Sequence, residues 1–182
     1  MPVLDLFFLG APRLELDGRP VSVDRAKALA LLAYLAVEPG SHSRETLATL
    51  FWPEYDRERA YAYLRRTLWA LQEALGAGWL EAGREALALL PFESLRVDLW
   101  QFRAALAEAG RHAHPPDQPC PACIPLLEKA VSVYRADFLS GFGLRDSAAF
   151  DEWQLFQAEQ LKAELASSLQ RLSAAYSAAG QH

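Results

Sequence analysis

Two groups of side chains in this sequence have the types and spacing for chemistry. The first is His112-Ala-His114, followed by Cys120-Pro-Ala-Cys123. Nitrogen and thiolate donors this close in sequence could close a tetrahedral metal site, and Cys-x-x-Cys is the spacing of a zinc knuckle. The His-x-His element is not a standard finger spacing. A structural zinc and a pair of reduced cysteines at a helix start therefore stand as equal readings. Redox catalysis is a distant third, because a redox Cys-x-x-Cys opens a helix in a βαβ setting that is absent here. The second group is arginine-rich: Arg57, Arg59, Arg65 and Arg66 surround Tyr63, with Arg44 before them and Arg84 after. Planar cations suit rigid anion recognition.

No enzyme is expected. There is no glycine-rich phosphate loop and no Gly-x-Ser-x-Gly elbow. The four histidines include His42 near a helix start, and none pairs with a nucleophile and an acid. Glu152, beside Trp153, suits a helix N-terminus better than acid–base work.

Charge restricts the partners. The net charge is −5, which argues against indiscriminate polyanion binding. Residues 1–98 carry 11 Lys or Arg against 14 Asp or Glu, a net of −3, so they are no basic domain. Any DNA binding must rest on a local patch, weak alone and sensitive to salt. With 52% hydrophobic and 23% charged residues, the chain has ample core material. Two cysteines make no disulfide framework. Without a leader or a bilayer-length apolar run, a cytoplasmic protein with no membrane association is expected.

The elements that must position these groups are legible in order. Val3–Leu9 and Arg13–Leu16 read as strands, Asp17-Gly18 as a hairpin turn, and Val21 and Val23 as the return strand. Asp24 is expected to cap a helix carrying Leu29, Leu32, Ala33 and Ala36, stopped by Pro39-Gly40. Ser43 caps a shorter helix with Leu47, Leu50 and Phe51 inward, closed at Trp52-Pro53. Asp56 caps a third, residues 57–75, burying Ala60, Leu64, Thr67, Leu68, Leu71 and Leu75. A hairpin flanking Gly83-Arg84-Glu85 follows. A short helix, a longer basic helix and a hairpin make the winged form of helix-turn-helix, with the third helix as the recognition helix.

Beyond it, Asp98 is expected to cap a helix with Leu99, Phe102 and Leu106 inward. A proline-rich connection leads to a helix using Ile124, Leu127, Val131 and Tyr134. Asp146 or Ser147 starts a long helix striped by Leu161, Leu165, Leu169, Leu172 and Tyr176. Such paired stripes suit a tetratricopeptide-like array. The chain stops at Gln181-His182, where a further helix is expected, so a fragment of a longer protein is expected.

Residues 3–90 resemble the OmpR/PhoB-type winged helix that opens the Streptomyces antibiotic regulatory protein (SARP) family. The resemblance rests on Lys27 to Leu35, His42-Ser43-Arg44-Glu45, Leu50-Phe51-Trp52-Pro53 and Leu64-Arg65-Arg66. Leu126 to Phe142, with Val133 to Phe142 in particular, is similar to the bacterial transcriptional activator domain of such regulators. The implied fold is mainly α with small antiparallel β elements: a winged helix over 1–97, then an all-α tetratricopeptide-like domain over 98–182, truncated.

The resemblance implies a transcriptional activator. Its third helix would enter the promoter major groove and its wing an adjacent minor groove. The helical domain would serve homo-oligomerisation or RNA polymerase contact. Arg57, Arg59, Arg65 and Arg66 would then supply phosphate or base contacts, with Tyr63 on a thymine methyl or a phosphate. Arg84 would act from the wing, and Arg44 from the start of the second helix. No cofactor is required, and a structural zinc at His112, His114, Cys120 and Cys123 is admitted. The family usually has asparagine at Tyr63, a small polar residue at Trp69 and arginine at Gln72. Trp69 is accordingly expected to pack. These departures and the acidic charge support a rival reading, a protein–protein adaptor whose winged helix no longer binds DNA.

Overall fold

The computed structural model describes residues 2–115 and 120–178. Pro116 to Pro119 of the proline-rich connection, and the expected stop at Gln181-His182, lie outside the described residues. Three strands open the chain: β1 (Leu4–Phe7), β2 (Arg13–Leu16) and β3 (Arg19–Val21). Asp17 and Gly18 both take positive φ, 51° and 71°, in the β2–β3 turn, as a two-residue hairpin of matching twist demands. Helix α1 (Ala26–Val37) follows. Asp24 does not cap it. The N-cap is Arg25, with no side-chain bond, because Asp24 stands one residue too far from the first helical turn.

The next caps form as expected. Strand β4 (His42–Ser43) leads into α2 (Arg44–Phe51), and the Ser43 hydroxyl accepts from the Thr46 amide at 3.0 Å. Asp56 caps α3 (Arg57–Leu75) by accepting from the Arg59 amide at 2.9 Å. The buried residues of α3 are Ala60, Leu64, Thr67, Leu68, Leu71 and Leu75, the whole expected stripe. Strands β5 (Leu80–Ala82) and β6 (Ala86–Leu89) form the hairpin, and β4 pairs along the free edge of β6.

Strand β7 (Leu95–Val97) was not expected. It pairs parallel to β1 and extends the first sheet to the order β3-β2-β1-β7. The pairing delivers Asp98 to the end of β1, and this changes its role. Helix α4 (Asp98–Ala109) has Val97 as its N-cap. The buried Asp98 carboxylate accepts from the amides of Phe8 and Leu9 as well as Leu99. Asp98 is thus not the expected cap: it is the first residue of the helix, with no side-chain capping bond there, and its carboxylate splices α4 to β1.

Helix α4 packs on α5 (Cys123–Val133), and α5 on α6 (Ala148–Ala178). Ser147 is the residue that starts α6, accepting from the Phe150 amide at 3.3 Å. Leu161 is buried, and Leu165, Leu172 and Tyr176 are half-buried. Leu169 is 45% exposed, contrary to expectation. Two successive four-residue steps from Leu161 turn the helix by about 80°, off the buried face. Ser168 takes the inward position there.

The hydrophobic core runs without a break across residue 97, with Phe8, Phe51, Phe102, Phe138 and Phe150 fully buried in one cluster. Polar bonds cross the same line. Lys27 pairs with Asp146 at 2.9 Å, and the Ser147 hydroxyl donates to the Leu50 carbonyl at 2.6 Å. Glu38 accepts from the Trp153 indole at 2.9 Å and from the Gln157 amide at 3.3 Å. These contacts fix α6 against α1 and α2, and through them the orientation of α3.

Candidate nucleic-acid interface and metal cluster

Burying the Leu64–Leu71 stripe of α3 leaves its other faces outward and sets them beside the start of α2 and the hairpin tip. Four arginines converge there. Arg44, Arg57, Arg65 and Arg84 line one open cavity of about 550 Å³, together with Ser43, Tyr61, Glu45 and Glu85. Arg57 and Arg65 come from α3, Arg44 from the first residue of α2, and Arg84 from the hairpin. Arg44 also braces the hairpin, donating from Nε to the Gly83 carbonyl at 2.9 Å, while its amide donates to the Glu85 carbonyl at 2.8 Å. Arg57 lies 5.3 Å from the Tyr61 ring centroid. The four guanidinium groups face two carboxylates, a local positive excess on an acidic chain.

The remaining expected residues lie on the other flank of α3. Arg59 pairs with Asp56 at 3.7 Å, with both side chains exposed, a weak interaction in water. Tyr63 is half-buried, stacked at 13° on Trp52 and 4.8 Å from the Tyr55 ring. Arg66 lies over the Tyr63 ring at 5.8 Å. Residues 59, 63 and 66 thus do not share the arginine cavity with residues 57 and 65. Between the flanks stands Trp69, which does not pack: it is 62% exposed. It follows the buried Leu68 by one residue, about 100° off the stripe.

Sequence reasoning passed over Ser43, Glu45, Tyr61 and Glu85 in this cavity. Tyr61 carried a usable signal, since it is four residues from both Arg57 and Arg65 and so shares their face. Glu45 and Glu85 carried none, because Glu45 reaches the cavity through the packing of α2 on α3 and Glu85 through the fold of the hairpin.

The second candidate site lies where α4 ends and α5 begins. His112, His114, Cys120 and Cys123 hold their ligand atoms within 4.8 Å of one another. Cys120 Sγ and Cys123 Sγ are 3.8 Å apart, and His112 Nδ1 is 3.4 and 3.1 Å from them. His114 Nε2 is 3.2 Å from Cys123 Sγ. A tetrahedral zinc with ordinary bond lengths separates two sulfurs by about 3.8 Å and a sulfur from a nitrogen by about 3.5 Å. The donor set fits a structural zinc.

The surroundings reinforce that fit. The Nδ1 atom of His114 lies 2.9 Å from the Pro115 carbonyl. Only a protonated Nδ1 can donate there, which leaves the Nε2 lone pair as the acceptor, facing Cys123 Sγ at 3.2 Å and the Cys120 amide at 3.4 Å. Cys123 is fully buried, in a small apolar cluster with Ala109 and Leu127 that is separate from the main core. Burial, then its neighbour Cys120, pushes the Cys123 thiol up from its ordinary value. Arg171 of α6 reaches the Ala109 carbonyl at 3.5 Å.

No protein-family model matches the chain, and neither does any curated protein. Among solved structures, the chain is similar to Mycobacterium tuberculosis EmbR in complex with a low-affinity phosphopeptide. The identity is 22% and the TM-score 0.79, over 100% of this chain and 47% of that one. This chain therefore spans about half the length of EmbR. The likeness shows a shared fold along the whole of this chain.

Proposed function

We propose that this chain is a DNA-binding transcription regulator, an activator and not an enzyme. Helix α3 inserts into the promoter major groove, and the β5–β6 hairpin reaches the adjacent minor groove. The observation that carries this reading is the meeting of Arg44, Arg57, Arg65 and Arg84, from α2, α3 and the hairpin, on one cavity. A duplex backbone spaces its phosphates along a curved surface, and three elements presenting guanidinium groups together match it better than one helix could. Arg59 and Arg66 meet the backbone from the opposite flank of α3, and Tyr63 supports that flank.

The labour divides at residue 97. Residues 1–97 contact DNA, and residues 98–182 serve homo-oligomerisation or RNA polymerase contact. Among the described residues no helix is long and apolar enough to cross a membrane, and the proposed work places the protein in the cytoplasm. Selection of bound fragments from the source genome, followed by salt-titrated binding, tests the reading. A cognate site whose affinity falls steeply with salt supports it.

A second reading, a protein–protein adaptor, has one observation of its own. Trp69, the most exposed large apolar side chain of α3, stands where a docking surface would want an aromatic anchor. Failure to bind any genomic DNA even at low salt would favour the adaptor.

A further inference from the structure

We propose that His112, His114, Cys120 and Cys123 bind one Zn²⁺, forming a clasp that joins α4 to α5 and steadies α6. Several independent features of the site point to that ion. The donor set is two thiols and two imidazoles. Soft sulfur with imidazole selects zinc over magnesium or calcium, which take oxygen ligands. Two thiolates cancel the charge of a dication, so a half-buried site ends neutral and avoids the cost of an unpaired interior charge. All four ligands come from this chain, and no position needs to be left for water or substrate. That is the closed coordination of a structural site.

Four of the six ligand-atom pairs lie 3.1–3.8 Å apart and the whole set spans 4.8 Å, so an ion has to draw the four together but not to bring in any ligand from elsewhere. The sulfur–sulfur distance of 3.8 Å is about that of a zinc-bound pair, and far from the roughly 2.05 Å of a disulfide. The Pro115 carbonyl fixes the His114 tautomer that presents Nε2 inward. Imidazole ligands held by a carbonyl in this way are a recurring feature of metal sites.

The fold also has a use for a clasp at this point. Ala109, Cys123 and Leu127, with Leu106, Leu126 and Leu172 against them, form a satellite cluster apart from the main core. Phe102, Ala105 and Ala130 tie α4 and α5 into the main core further along, so it is the outer end of the pair, next to the satellite cluster, that a metal would hold. The Cys123 thiol donates to the Ala109 carbonyl at 3.7 Å, where Arg171 of α6 also donates at 3.5 Å. When zinc takes the sulfur as a thiolate, Arg171 still donates to that carbonyl. The guanidinium Nε of Arg171 is buried and has no partner among the described residues. Zinc binding is then linked to the order of the α4–α5 turn and of α6 near Arg171.

The test is metal content and spectroscopy on the full chain. After washing with a weak chelator, elemental analysis should find one zinc per chain. Replacing zinc by Co²⁺ should give the visible absorption and thiolate charge-transfer bands of a tetrahedral S2N2 site. Cys120→Ser should lose most of the metal, and His114→Ala should bind it more weakly and change the cobalt spectrum. Hydrogen exchange should show that metal removal speeds exchange at residues 106–115 and 123–130, while α2 and α3 stay protected. Substoichiometric zinc in wild-type protein, or no tetrahedral cobalt spectrum, overturns the proposal. So does Cys120→Ser protein that keeps a full equivalent of metal.

Discussion

The Nε of Arg44 donates to the carbonyl of Gly83 at 2.9 Å, so the first residue of α2 holds the tip of the hairpin. Arg44 therefore has two tasks, bracing the wing and presenting its remaining guanidinium hydrogens to the cavity shared with Arg84. Arg65 has only the second task. Arg65→Ala should weaken DNA binding about uniformly across sequences and lower the slope of log affinity against log salt by about 1. Arg44→Ala should weaken it further, because the wing is also released. Arg44→Lys should recover part of the salt slope but not the affinity, since an ammonium cannot supply the fork geometry. Fluorescence anisotropy with a selected duplex at several salt concentrations separates these outcomes, and equal losses for the two alanine variants would contradict them.

Glu38 ties the halves of the chain together by accepting from both Trp153 and Gln157 of α6. Glu38→Ala strips two part-buried donors of their acceptor and should cost about 1–3 kcal/mol. For a chain of this size that lowers the melting midpoint by about 2–4 °C per kcal/mol. Because the core is continuous across residue 97, wild type and variant should each melt in one transition detected equally by far-ultraviolet and near-ultraviolet dichroism. Two separated transitions would show that the halves fold independently.

Asp98 offers a signed prediction. Its carboxylate, 6% exposed, accepts from the amides of Phe8, Leu9 and Leu99. Asp98→Asn replaces one oxygen by an NH2 group, which can only donate, where either protonation state of the carboxyl keeps two oxygens able to accept, and should destabilise the fold by about 1–3 kcal/mol. Burial, the largest influence, raises the Asp98 carboxyl above its ordinary 3.8, against the three amides and Arg135, which lower it. With a folded value above the unfolded one, the folded chain binds this proton more tightly. The stability linked to it is present below pH 3.8 and is lost as pH rises through the folded value. Asparagine has no such proton. The margin of wild type over Asp98→Asn should be widest in acid and narrow toward neutrality, which urea unfolding at a series of pH values measures.

How far the sequence announces this molecule depends on whether each feature is local. The six buried positions of α3 follow from helical period alone, and Ser43 and Asp56 cap because each immediately precedes its helix. The Asp17-Gly18 turn is equally local. Asp24 shows the limit of such reasoning, since a one-residue error moves a cap out of reach. Pairing of β7 with β1 joins residues about 90 apart in the chain. No local pattern encodes it, and with it the true role of Asp98 stayed hidden. The arginine cavity was half legible. Arg57 and Arg65 share a face by spacing, but Arg44 joins them only through the packing of α2 on α3 and Arg84 through the fold of the hairpin, which bring Glu45 and Glu85 with them. The metal cluster was the most local of all, and its four ligands meet as the spacing allowed.

Trp69 decides between the two functional readings. Of the five tryptophans, Trp52 and Trp79 are buried, Trp100 and Trp153 are half-buried, and Trp69 alone is 62% exposed. Acrylamide should therefore quench one accessible emitter strongly and the rest weakly, and Trp69→Phe should remove most of the quenchable fraction. Trp69→Ala should change stability by no more than about 0.5 kcal/mol, as surface substitutions do. Its effect on function is the discriminating measurement. If α3 lies in the major groove, the ring sits between two arginine-bearing flanks and a bound duplex must cover it. A selected duplex should then protect Trp69 from acrylamide, and Trp69→Ala should reduce affinity without altering the salt slope, because no phosphate contact is lost. A duplex that binds through the arginine cavity yet leaves Trp69 fully quenchable would place the groove elsewhere and leave the ring for a protein partner.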